Sequence, residues 1–165
     1  MKNAILCDEA DRDRVLVTGD LPVTFRGVVN GWQVDHMGHL NVQHYVAMFD
    51  HASWVSLAMI GLDAFYFREY RCGIAALEQT IRYQRELRIG DAVEIRSQID
   101  EVKEKTIRAT HTMRKVNSDE VSASTTILAV HFDTSLRKSV PLPMWARERA
   151  SEWIVAYGAP AGESL

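Results

Sequence analysis

Between Val34 and Val42 the chain reads "VDHMGHLNV", which places an acid, two histidines, a glycine and an asparagine within seven residues: Asp35, His36, Gly38, His39 and Asn41. A carboxylate here could attack a carbonyl or take a proton from water, and a histidine could orient either partner. Such chemistry also needs something positive where the carbonyl oxygen gains charge. The residues that follow can supply it. From Asn41 onward, Val42, Tyr45, Val46, Phe49 and Ala52 recur at steps of three and four, and Met48, Val55, Ala58 and Met59 widen the stripe. The pattern predicts a buried helix from Asn41 to about Ile60, stopped at Gly61. Its N-terminus would carry free N–H groups and a partial positive charge, with Asn41 as the cap. The polar cluster thus lies where a buried helix must open its end, and a substrate carbonyl could bind there.

The flanking segments are those of a sheet. "VTFRGVVNGWQV", Val23 to Val34, reads as a strand with bends at its glycines. After a short aromatic connector, "DAFYFREY", the period becomes two. Leu77, Gln79, Ile81 and Tyr83 alternate with Glu78, Thr80, Arg82 and Gln84, and "IGD" turns the chain. Further strands follow around Val93 to Ile99, Ile107 to Met113, and Val121 to Phe132, with a turn at "NSDE". Met144 to Trp153 reads as a terminal amphipathic helix. One helix followed by about four antiparallel strands implies an α+β domain in which a sheet clasps the helix.

Composition sets the outer limits. The chain has 165 residues, 47% hydrophobic and 25% charged, the make-up of one globular domain spanning residues 1–165. Residues 1–20 read as a loose arm. The net charge of -3 points away from nucleic acid or an anionic membrane surface as partner. Cys7 and Cys72 have no metal-ligand spacing and read as reduced thiols of a cytoplasmic protein. The N-terminal segment does not resemble a signal peptide, and no apolar run is long enough for a membrane span.

"DxxGHxNxxxY", met here as Asp35, Gly38, His39, Asn41 and Tyr45, followed by "RYQRELRIGD" from Arg82 to Asp91, resembles the hotdog-fold acyl-CoA thioesterases of the 4-hydroxybenzoyl-CoA type. The resemblance covers roughly Val23 to Pro143. It implies hydrolysis of an acyl-CoA thioester without a cofactor, in a homodimer or homotetramer whose sheets join edge to edge. It also implies Asp35 as nucleophile or general base and the Val42 backbone N–H as oxyanion donor. His39 and Asn41 would support the reaction, and Gly38 and Tyr45 would lie against substrate. His36 and Met37 depart from the residues many relatives carry, so the acyl group stays open.

Plainer readings stand beside these. Asp35 is also a loop acid or cap, Gly38 a turn residue, His39 a backbone-bonded loop histidine, Asn41 a cap, and Tyr45 a core residue. His111 and His131, on strands, read as structural. Asp35, His39 and His44 do not form a convincing metal set, so no metal is expected. Asp50, within the helix, and Glu78, on a strand, are reserve carboxylates. Trp32, Trp54, Phe65, Tyr66 and Phe67 could wall a pocket for an aryl, branched or cationic acyl group. Two rival functions use the same fold. A hotdog hydratase or dehydratase would place a histidine five residues after the aspartate, where this chain has Leu40. A non-catalytic acyl-CoA-binding protein would have no need of Asp35.

Overall fold

The computed structural model describes residues 20–116, 118 and 120–157. The expected N-terminal arm, Cys7, the residues beyond 157, and Asn117 and Asp119 of the "NSDE" turn lie outside these, apart from Asp20 at the end of the arm. In chain order the elements are β1 (Val23–Val28), a 3-10 turn (Gly31–Gln33), α1 (Val42–Met59), α2 (Ala64–Tyr70), β2 (Cys72–Tyr83), β3 (Ala92–Val102), β4 (Thr106–Lys115), β5 (Val121–Asp133), β6 (Lys138–Ser139) and α3 (Met144–Tyr157). The strands form one antiparallel sheet in the order β1-β3-β4-β5-β2, with β6 paired to the end of β5. The sheet curls, and α1 packs against it as expected.

Alternation along β3 shows how the sheet makes its core. Val93, Ile95, Ser97 and Ile99 are buried on one face, while Glu94, Arg96 and Gln98 turn to the other. Tyr45, Met48, Phe49 and Ala52 of α1 meet Val93, Ile95, Met113 and Ala123 in one cluster. A second cluster joins Ile60, Leu62 and Tyr66 to Ile99, Ile107 and the α3 residues Ala146, Ala150 and Trp153.

Three segments differ from the sequence reading. The first strand ends at Val28 rather than Val34, because Asn30 and Gln33 close on each other: the Asn30 N–H donates to Gln33 Oε1 at 2.8 Å. The aromatic connector is a helix, α2, capped by Asp63, whose Oδ1 accepts from the Tyr66 N–H at 2.8 Å. β2 begins at Cys72, ahead of the alternating run, and carries a bulge between Ala76 and Glu78.

Among the described residues two surfaces stay uncovered. Val42, Val46, Trp54, Val55 and Met59 of α1 remain exposed, since the sheet reaches only one side of the helix. β2 is an edge strand, exposed from Ala76 to Thr80, with Leu77 60% and Tyr83 50% exposed.

Candidate active site

Asp35 opens a tight loop. Val34 and Leu40 form a bridge, and the Asp35 N–H donates to the His39 carbonyl at 3.0 Å. The Gly38 N–H returns to the Asp35 carbonyl, and Gly38 sits at φ +79, where an L side chain is strained. Asp35 is half-buried. Its Oδ1 accepts the Met37 N–H at 2.9 Å, which fixes the carboxylate, and Oδ2 has no hydrogen-bond partner among the described residues.

The helix start is held from two sides. The Asn41 N–H donates to the Gln33 carbonyl at 2.9 Å, and its Oδ1 accepts the Gln43 N–H at 3.1 Å. Asn41 is therefore the N-cap, and Val42 is the first helical residue. The Val42 N–H has no partner among the described residues, and Val42 is 58% exposed. An unpartnered first-turn amide at the positive end of a helix is a ready oxyanion donor.

Two contacts tie this loop to the second motif. The Leu40 N–H donates to the Leu87 carbonyl at 2.8 Å, and His39 Nε2 lies 2.9 Å from Glu86 Oε2. Arg88 approaches the same carboxylate at 3.7 Å. Sequence reasoning gave Glu86 no role. Its place inside "RYQRELRIGD" was the available signal, but that motif does not reveal which residue it faces. Tyr45 is buried in the core, its ring edge-on to Tyr83 at 5.2 Å. Burial holds its phenol above the ordinary range, opposed by a bond to the Leu87 backbone.

A cavity of about 210 Å³ runs between α1 and the sheet, starting at Val46, one turn beyond Val42. Asp35, Gly38, His39, Asn41, Val42 and Tyr45 do not line it, and neither does Glu78. Asp50 does, with Ser53, Trp54, Gln79 and His111. Of the five candidate wall aromatics only Trp54 borders this space. Tyr66 is in the core, Phe67 packs beside it, and Phe65 and Trp32 are largely exposed. Trp32 stands edge-on to His44 at 5.2 Å, near the helix start.

Both strand histidines are built into hydrogen-bond chains. Thr24 Oγ1 and Ser97 Oγ are 2.6 Å apart, Ser97 Oγ is 2.6 Å from His111 Nδ1, and His111 Nε2 is 3.0 Å from Ser53 Oγ. Burial pushes the His111 pKa down to about 4. His131 Nε2 meets the Tyr66 hydroxyl at 3.1 Å, and its Nδ1 faces the Val140 and Pro141 carbonyls. Among the described residues no three His, Cys, Asp or Glu side chains are grouped to hold a metal ion, and no single helix is long and apolar enough to cross a membrane.

The family model of the thioesterase-like superfamily matches residues 28–153, which include the Asp35 loop, α1 and strands β2 to β6. The chain belongs to the thioesterase-like superfamily. Solved structures give the same fold. A Staphylococcus aureus protein in complex with CoA superposes with a TM-score of 0.79 at 15% identity, covering 87% of this chain and 90% of that one. A Pseudomonas putida KT2440 protein superposes with a TM-score of 0.73 at 25% identity, covering 88% and 94%. These likenesses make the fold of this superfamily member a hotdog. In sequence it is 30% identical over 115 residues to an L-carnitine dehydrogenase/betainyl-CoA thioesterase of Rhizobium meliloti, a match over 70% of this chain but 23% of that protein. The match therefore spans about a quarter of the curated relative's length.

Proposed function

We propose that this chain is an acyl-CoA thioesterase, hydrolysing its substrate to the free acid and CoA with Asp35 as the essential carboxylate. The observation that carries the reading is the open end of α1. An unpartnered Val42 N–H stands beside a loop whose acid has one oxygen fixed by Met37 and the other available. Membership of the thioesterase-like superfamily supports the reaction class. The carbonyl oxygen lies against the Val42 N–H, where the helix end favours the charge it gains. Asp35 then forms the new bond to the carbonyl carbon, or takes a proton from the water that does. The C–S bond breaks, the thiolate of CoA leaves and is protonated, and where Asp35 was the nucleophile a water then hydrolyses the acyl–Asp35 anhydride to the free acid. Asn41 caps the helix that presents the donor. His39, paired with Glu86, holds the loop. Gly38 lets the chain fold back so that substrate can approach, and Tyr45 backs the helix from within the core. No cofactor takes part.

A cavity of about 210 Å³ is smaller than the roughly 300–1,000 Å³ of pockets for drug-sized ligands, so it suits an acyl group while the bulk of CoA lies outside. Betainyl-CoA, the thioester in the relative's name, is the first to try. The working form is proposed to be a homodimer or homotetramer joined along β2.

Thiol release from a panel of acyl-CoAs tests the activity. Asp35→Asn keeps the side-chain size but removes the negative charge. It should lower kcat by about 100-fold or more while the variant stays folded. His39→Ala should cost less. Near-normal turnover by Asp35→Asn, alongside a dead Asp50 variant, would move the essential acid into the helix. Binding of acyl-CoA without any thiol release would favour the non-catalytic reading.

A further inference from the structure

The cavity beside α1 carries one formal negative charge, that of Asp50, which is exposed to solvent and pairs with no cation among the described residues. Its wall is mostly aliphatic, with Leu57, Ile74, Ile107 and Ile127 among its members. Its other polar groups are already engaged. Ser53 Oγ donates to the Phe49 carbonyl at 2.9 Å, and Ser56 Oγ donates to the Ser53 carbonyl at 2.8 Å. Gln79 Nε2 donates to Thr125 Oγ1 at 3.3 Å, and His111 is held between Ser97 and Ser53. Asp50 has neither a hydrogen bond nor an ion pair among the described residues. No lysine or arginine lines the space, and His111 is neutral at pH 7.

Trp54 lies one turn beyond Asp50 on the same face of α1 and borders the same cavity. An aromatic ring and a carboxylate facing an apolar space match a substituted ammonium group. Such a cation carries charge but has few or no N–H donors, so ring faces and an acid hold it better than hydrogen-bond acceptors do. An anionic acyl group would be repelled here, and a neutral one would gain no attraction from Asp50.

The spacing fits a cation close to the reacting carbonyl. Eight residues of helix separate Val42 from Asp50, about 12 Å of rise. Helix side chains lean toward the N-terminus, which brings the Asp50 carboxylate back toward a carbonyl bound at Val42.

We infer that this site selects an acyl group bearing a positive charge, held between the Asp50 carboxylate and the Trp54 ring. The inference rests on the thioesterase reading and adds the chemical class of its substrate.

Two thioesters of the same shape test it: trimethylammonioacetyl-CoA, and 3,3-dimethylbutanoyl-CoA, in which carbon replaces the charged nitrogen. The readout is the ratio of their kcat/KM values in the wild type, Asp50→Asn and Asp50→Glu. The wild type should favour the cation. The ratio should fall about tenfold or more in Asp50→Asn and recover in part in Asp50→Glu. Calorimetry of the two free acids needs no turnover. Trimethylammonioacetate should bind the wild type more tightly than 3,3-dimethylbutanoate and lose that advantage in Asp50→Asn. A wild type without cation preference overturns the inference. So does an Asp50→Asn variant in which both thioesters slow in proportion, because the acid then serves chemistry or folding. Turnover without cation preference would leave hydrolysis standing and remove the cation site. Asp50-dependent binding of trimethylammonioacetate with no thioester turned over would do the reverse.

Discussion

The buried chain Thr24–Ser97–His111–Ser53 gives the residue scale its clearest pH dependence. His111 is neutral in the folded protein down to about pH 4, against 6.5 for the free side chain. Above pH 6.5 neither folded nor unfolded chain is protonated there. As the pH falls from 6.5 toward 4, the unfolded chain takes up a proton that the folded chain refuses, so stability is lost across that window and levels off below it. The loss from this group is on the order of 3 kcal/mol. Urea unfolding midpoints should fall between pH 7 and pH 4, and the His111 ring should show no protonation by NMR at pH 5.5. At this scale the sequence was legible where a residue acts on its near neighbours. Asn41 as cap and Gly38 as turn residue needed only local spacing. Glu86 beside His39, and Asp50 against the cavity, depend on how distant segments fold together, which one sequence does not display.

Among the elements, α1 is closed at its C-terminus as firmly as it is open at its N-terminus. The Gly61 N–H donates to the Ala58 carbonyl at 2.9 Å and the Leu62 N–H to the Leu57 carbonyl at 2.9 Å, the Schellman pattern. Gly61 sits at φ +89, and a Cβ there would meet the Arg149 guanidinium at 2.5 Å and the Trp145 ring at 2.7 Å. Gly61→Ala should therefore strain the cap and push α3 away, lowering stability by about 2 kcal/mol. A thermal unfolding midpoint equal to that of the wild type would show that Trp145 and Arg149 yield without cost. The helix and the four long strands were legible because their periods are strong and their stops, Gly61 and "IGD", are standard. α2 was not. Its aromatic run has no clear period, and its cap, Asp63, makes sense only once the chain is seen to turn back toward β2.

For the whole molecule, the uncovered surfaces decide what the chain must do next. Among the described residues β2 offers a long edge of unpaired backbone groups, and soluble proteins cover or pair such edges. The exposed Val42, Val46 and Trp54 of α1 leave apolar surface with it. Pairing β2 to β2 across a two-fold axis would cover the edge in both copies at once. Light scattering should give at least twice the 18.7 kDa chain mass at micromolar concentration, and a proline placed at Thr80 should shift the protein toward monomer. A monomeric wild type with full activity would rule out a shared site.

The Leu40–Leu87 hydrogen bond and the His39–Glu86 contact have a further consequence, for the order in which the molecule assembles. The Asp35 loop is not a self-contained unit. It is pinned by a segment that arrives only after α1, α2 and β2 have been laid down in the chain. Such long-range closures come late in folding, since their loop entropy is lost before the contact is gained. The reactive loop therefore takes its shape only once that segment has docked, and a chain folded only as far as α1 would hold the helix without the acid in place.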